Sequence, residues 1–258
     1  MIYCIQINQS YVQAMLFFYA NLRFVYFQVG VKADIDEPDK STRNEGRIEF
    51  FVDFSANAAP EYEGKGGEDL ALEISEALNS SYKHSNSVDF KSLCIIPRLS
   101  CWVLHVDILL LQCGGNLMDA VAMAVKAALV KTRLPKVTVV RNEIGTDDLE
   151  ISDDPDDVIQ LNVDKSPLVV TVSKIGHSQV VDASVSEEAC SFGKLYVAVD
   201  STGCISFLRK AGGGSLDPLS VQEMLETART VGKELNASLS ETLKHERSSK
   251  SQPLGLLK

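Results

Sequence analysis

From Arg47 to Phe54 the side chains alternate. Ile48, Phe50, Val52 and Phe54 fall on one side, and Arg47, Glu49, Phe51 and Asp53 on the other. This period of two predicts a strand with one more polar face. The spacing then changes: Leu70, Ile74, Ala77 and Leu78 recur at helical intervals and predict an amphipathic helix over 68–83. Cys101 to Gln112 (CWVLHVDILLLQ) reads as apolar on both faces, the pattern of a central strand. It runs through Gly114-Gly115 into an Ala-rich helix predicted over Asn116–Val130, with Leu117, Ala120, Val121, Ala124 and Ala128 on one side. Lys136 to Val140 reads as a short strand.

Further strands are predicted at Leu168–Ile175, Gln179–Asp182, Leu195–Val199 and Cys204–Arg209, joined by turns such as Ser201-Thr202-Gly203. Asp217 followed by Pro218 predicts the start of a long last helix, with an acceptor at the cap and proline at the first helical position. Its buried stripe is Leu225, Ala228, Leu235, Leu239 and Leu243, and the tail from His245 is expected to fray. Strands alternating with helices in this order predict an α+β fold with antiparallel pairing in a single domain.

The N-terminus fits this scheme least. Tyr11 to Val29 is apolar and aromatic, but Arg23 sits inside it, and no basic start or small-residue cleavage site marks a signal peptide. A membrane segment is therefore disfavoured, and Val25 to Val31 has the content of a strand.

Composition narrows the functional classes. The 258 residues carry 25 Lys plus Arg against 35 Asp plus Glu, a net charge of −10. An isolated acidic chain is a poor nucleic-acid binder, because affinity leans on cations that neutralise phosphates. Eight acids and no base lie between Glu143 and Asp157, which reads as a solvated loop or a docking surface for a basic partner. The cysteines at 4, 94, 101, 113, 190 and 204 include no CxxC pair, and the histidines at 84, 105, 177 and 245 are scattered. No metal and no cofactor is expected, and reduced thiols fit a cytosolic or nuclear setting.

Few constellations carry chemistry. At the strand-to-helix junction QCGGNLMDA (112–120), glycines before a helix N-terminus could cradle an anion. Asn116 with Asp119 three positions on instead reads as a capping pair, and a carboxylate beside those donors repels phosphate. His105 and Asp107 share a strand face as an acid–base pair or, more simply, as a satisfied polar pair. Glu187-Glu188 reads as a solvated turn. Gly212-Gly213-Gly214-Ser215 lacks the G-K-[ST] ending of a phosphate loop, and G-x-S-x-G is absent.

Four segments carry a resemblance: FFVDFSANAAPEYEGKGGEDLALEI (50–74), CWVLHVDILLLQCGGNLMDAVAMAVKAAL (101–129), VVDASVSEEACSFGKLYVAV (180–199) and RKAGGGSLDP (209–218). Together they resemble the RNase PH-like ring subunits of the eukaryotic RNA exosome, over residues 29–245. The resemblance implies an RNase PH-like fold and a place in a six-membered ring of related subunits, with cap subunits and RNA as partners. It also implies a nuclear and nucleolar location, with a cytoplasmic pool, and no membrane. Active members phosphorolyse RNA from its 3′ end. They carry G-G-T-R at the junction, where the arginine holds the attacking phosphate, and two aspartates six residues apart later on.

Here the junction is Gly114-Gly115-Asn116-Leu117, and Glu188 and Lys194 stand at the aspartate positions. Leucine cannot neutralise phosphate, and lysine cannot replace a carboxylate acid or metal ligand. The expected function is a non-catalytic ring subunit that supports 3′-to-5′ RNA processing by assembly and threading. The alternative is a phosphorolytic exoribonuclease. Lys65 and Arg98, expected in loops flanking the first helix, are candidate contacts to the RNA backbone. Residues 1–28 do not match the family's usual start and read as an atypical segment. A truncated or alternative start would leave the first strand without partners and a sheet edge uncovered. Residues 246–258 are expected to be flexible.

Overall fold

The computed structural model describes residues 6–8, 11–16, 25–55, 65–83, 88–141, 147–152, 154 and 156–248. Its larger sheet contains β1 (Gln6–Asn8), β2 (Tyr11–Leu16), β3 (Tyr26–Asp36), β4 (Arg47–Phe54), β5 (Cys94–Ile96) and β6 (Ser100–Gln112). The order is β1-β2-β3-β6-β4, with β5 also pairing β6. β4 runs parallel to β6, and helix α1 (Lys65–Lys83) lies on the crossover between them. The alternation in β4 works as the sequence predicts: Phe50 is buried while Phe51 is exposed.

β6 is central, but its two faces differ. Trp102, Leu104, Val106, Ile108 and Leu110 enter the core. The outer face carries His105 and Asp107, so it is not apolar on both sides. His105 and Asp107 do not pair with each other. Asp107 holds Lys32 at 2.6 Å, and His105 lies 3.5 Å from Asp34 and 3.4 Å from Glu49. Each polar group finds a partner on a neighbouring strand: Glu49 stands opposite His105, while Lys32 and Asp34 reach Asp107 and His105 diagonally.

The expectation of an uncovered edge at the first strand is overturned. β2 pairs antiparallel with β3 from Val12↔Ala33 to Leu16↔Val29, and β1 pairs β2. Residues 17–24 of the apolar stretch lie outside the described residues. Among those described, no helix is long and apolar enough to cross a membrane.

The second sheet is formed by β11 (Leu168–Ile175), β12 (Ser178–Val181), β13 (Gly193–Val199) and β14 (Ile205–Ala211), in the order β12-β11-β13-β14, all antiparallel. Helix α2 (Leu117–Lys131) is buried nearly all round, and Val121, Ala124 and Ala128 join a core that includes Val31 of the first sheet and Val169, Tyr196 and Ala198 of the second. Small alanines let both sheets approach this helix closely. The opposite face of the second sheet, with Val170, Val172, Leu195 and Val197, packs against Met224 and Ala228 of α4 (Pro218–Ser248). Asp217 caps α4 as the sequence predicts, accepting the Ser220 N–H at 3.0 Å. The helix runs three residues past His245.

Two loop expectations fail. The acidic stretch is not a continuous loop: β9 (Asp147–Ile151) pairs antiparallel with β8 (Val137–Arg141). β10 (Val158–Gln160) follows it and pairs with β7 (Arg133–Pro135). Backbone pairing in a two-stranded ribbon needs no buried face, so no hydrophobic alternation announces it. Residues 142–146, 153 and 155 lie outside the described residues. The Glu187-Glu188 turn is instead the first turn of a short helix, α3 (Val185–Ala189).

Candidate functional site

The candidate site lies where β6 hands over to α2. Gly115 has φ +108°, and a Cβ there would stand 2.9 Å from Ala183 O and 2.9 Å from Val185 N. The junction therefore packs directly on the backbone between β12 and α3, which only glycine permits. Asn116 follows in the left-handed region, φ 47° and ψ 48°, where asparagine is tolerated better than most residues.

That backbone geometry changes the expected cap. The Asn116 side chain does not cap α2. Its Nδ2 donates to Asp119 Oδ2 at 3.0 Å and to Asp182 Oδ1 at 3.2 Å. Asp119 does not reach back to the Asn116 N–H; its Oδ1 accepts the Thr171 hydroxyl at 2.6 Å. The Asn116 N–H is taken by the carboxylate of Glu188, at 2.8 Å from Oε1. The free donor that a bound anion would use is thus occupied by the chain's own anion.

α3 is what delivers Glu188. Glu187 accepts the Ser184 N–H at 2.7 Å and the Ser184 hydroxyl at 2.6 Å, both at Oε2, fixing the start of the helix. Glu188, one position on, turns toward α2. The adjacent acids thus have separate roles, one closing a cap and the other crossing to the junction. Lys194 on β13 completes the group, its Nζ 3.4 Å from Glu188 Oε2 and 5.6 Å from the centre of the Tyr196 ring. Burial pulls the Lys194 amine down, but the Tyr196 and Glu188 charges and hydrogen bonds outweigh it and raise its pKa.

The structure therefore brings Gly115, Asn116, Leu117, Glu188 and Lys194 together around a cavity of about 70 Å³. Gly114 precedes them at the end of β6. Leu117 is turned into the core, at 8% exposure. Asp119 is buried beneath the junction, and burial lifts its pKa to about 6 against the lowering effect of Thr171 and Asn116. Among the described residues, no cation but Lys194 lines the cavity, and that ammonium already has a carboxylate partner. The arrangement can hold its own charges in balance; among the described residues it presents no unpaired cation for phosphate.

Arg98 does not join this group. Lys65 is the first residue of α1 rather than a loop residue. Arg98 is exposed in the turn between β5 and β6, with φ 72° and its N–H on Arg43 O at 2.8 Å. That turn is at the far end of β6 from the junction, about 40 Å away along the strand.

Sequence reasoning missed a second polar centre. Lys126 is 2% exposed, and its Nζ donates to Ser166 O at 2.7 Å and Asn236 Oδ1 at 2.6 Å. Burial lowers its pKa to about 8, against the raising effect of Asp164 and Asp200. Asn236 in turn donates to Val199 O and Gly232 O. This network ties α2 to α4 and β13. Its partners are distant in sequence, and Lys126 looks like any surface lysine on a helix.

The two sheets correspond to two recognised units. The 3′ exoribonuclease family (RNase PH), domain 1, matches residues 26–135, and domain 2 of that family matches residues 165–231. The chain belongs to the RNase PH family of 3′ exoribonucleases. Within it, the chain is similar to the Rrp42 branch. A Dictyostelium discoideum protein described as an exosome complex exonuclease, RRP42, is 32% identical over 84% of this chain and 81% of its own length. The exosome complex component Rrp42 of Thermococcus kodakarensis is 35% identical over 80% of this chain and 74% of its own. A chain from the Archaeoglobus fulgidus exosome with RNA bound to the active site superimposes with a TM-score of 0.71 at 25% identity, covering 88% of this chain and 82% of the other.

Proposed function

We propose that this chain is a non-catalytic structural subunit of an RNA exosome ring. It supports 3′-to-5′ RNA processing and degradation by assembling with other RNase PH-like subunits and cap subunits and by helping to thread RNA. The similarity to Rrp42 exosome components over most of both chains supports the ring placement. One observation carries the absence of catalysis: the Glu188 carboxylate sits on the Asn116 N–H at the start of α2, where an attacking phosphate would need a free donor and a cation. Leu117 and Lys194 occupy positions at which active relatives use an arginine and an aspartate, so neither phosphate neutralisation nor acid catalysis is supplied. Lys65 and Arg98 are proposed as RNA-backbone contacts within the assembled ring. The proposed location is the nucleus and nucleolus, with a cytoplasmic pool.

The second reading, a phosphorolytic exoribonuclease, is favoured by the description of the Dictyostelium relative as an exonuclease. Poly(A) incubated with the purified chain in phosphate buffer separates the two. The proposal expects no release of nucleoside diphosphates. Steady release that disappears in Glu188→Ala would overturn it.

A further inference from the structure

Cys94 and Cys101 face each other across the β5–β6 ladder. The hydrogen bonds next to them define the kind of pair they form. Trp102 N–H donates to Leu93 O at 2.8 Å, a ladder bond that flanks the two cysteines, while the Leu93 N–H turns back to Phe90 O at 3.3 Å. The Cys94 N–H turns away, donating to Lys91 O at 3.2 Å. Cys94 and Cys101 are therefore a non-hydrogen-bonded pair next to a register shift of the ladder; in such pairs Cα atoms are about 4.5 Å apart and the side chains are closest. That separation lies inside the roughly 4.4–6.8 Å window a disulfide spans.

Their surroundings give the two thiols different parts. Cys94 is half-buried and open to a small oxidant, whereas Cys101 is fully buried on the outer face of β6. Arg47 lies over that face, bound to Asp36 at 2.8 Å and Glu49 at 2.8 Å. Burial raises the Cys101 thiol's pKa, while the Arg47 guanidinium acts in the opposite sense. Arg98 sits on the turn between the two cysteines.

We infer that Cys94 and Cys101 form an oxidisable dithiol that closes into a disulfide with hydrogen peroxide and clamps the turn carrying Arg98. The Cys94 thiolate attacks peroxide, breaking the O–O bond to give a sulfenic acid and hydroxide, which takes up a proton to become water. The Cys101 sulfur then attacks the Cys94 sulfur, and the S–O bond breaks. Hydroxide leaves with the electron pair and takes up the Cys101 proton. Two thiols and one peroxide give one disulfide and two waters.

Tryptic mapping of the full chain tests this. Cleavage after Lys91, Arg98 and Lys126 places Cys94 on 92–98 and Cys101, with Cys113, on 99–126. Cys113 is about 40 Å from Cys101 along β6. After stoichiometric hydrogen peroxide and thiol blocking, the expected result is a dithiothreitol-reversible link between these two peptides. It persists in Cys113→Ser and is lost in Cys101→Ala, and fragment ions of the wild-type link place it on Cys101 without relying on either variant. Absence of the link in wild type, or fragment ions that place it on Cys113, would overturn the inference.

Discussion

The Glu188 carboxylate accepts the backbone N–H of Asn116 at 2.8 Å, joining α3 to the start of α2 across 72 positions of sequence. The same carboxylate holds Lys194. Glu188→Gln keeps the shape but removes the charge, weakening the bond to the N–H and leaving the Lys194 ammonium without a counter-charge. Hydrogen bonds to charged groups contribute about 1.5–3 kcal/mol, and partial exposure places the loss near the lower end. Urea melts should register a loss of about 1–2 kcal/mol.

Asp119 makes stability fall as pH rises through the acidic range. Its folded pKa of about 6 lies above the ordinary 3.8, so the folded protein binds the extra proton between these values. The penalty for burying the ionised form is absent below about pH 4 and fully present above about pH 6, and amounts to about 3 kcal/mol. Asp119→Asn should flatten the wild-type decline between those limits. Stability measured by denaturant melts at a series of pH values checks it, and parallel curves for the two proteins would contradict it.

Lys126 behaves in the opposite sense at alkaline pH. Its folded pKa of about 8 lies below the ordinary 10.5, so unfolding takes up a proton between them and stability rises as pH climbs through that window. Lys126→Met removes this rise and leaves Ser166 O and Asn236 Oδ1 without their donor. Its expected cost at neutral pH is about 1–3 kcal/mol. Thermal melts of both proteins at pH 7 and pH 9.5 read the cost and the lost pH dependence together.

The parts of this molecule legible in the sequence are those where burial writes a period. β4 alternates strictly because one face enters the core, and its predicted limits match the structure. The Asp217 cap is local and was equally legible. β9 was hidden because a solvent-exposed ribbon is held by backbone bonds, and its acids resemble those of a loop. In α4, Ala228 and Leu243 are buried as the pattern expects, Leu225, Leu235 and Leu239 are half-buried, and Met224 and Asn236, outside the leucine pattern, are buried as well.

At the site, the junction 112–120 was legible from its glycines before a helix, whereas Glu188 and Lys194 were tied to it only through resemblance to a family. Their pairing was not legible, since it depends on a left-handed Asn116 and on the entry angle of a five-residue helix. The polar cluster of Asn116, Asp119, Thr171 and Asp182 draws on α2 and on segments of the second sheet. No sequence window contains it.

The proposed function stands on membership of a ring. Native mass spectrometry of this chain co-expressed with the other RNase PH-like subunits of its ring tests it most directly. One assembly is expected, in which this chain is present in stoichiometric amount with its neighbours. Recovery of the other subunits as a complete ring without it, with this chain as a free monomer, would contradict it.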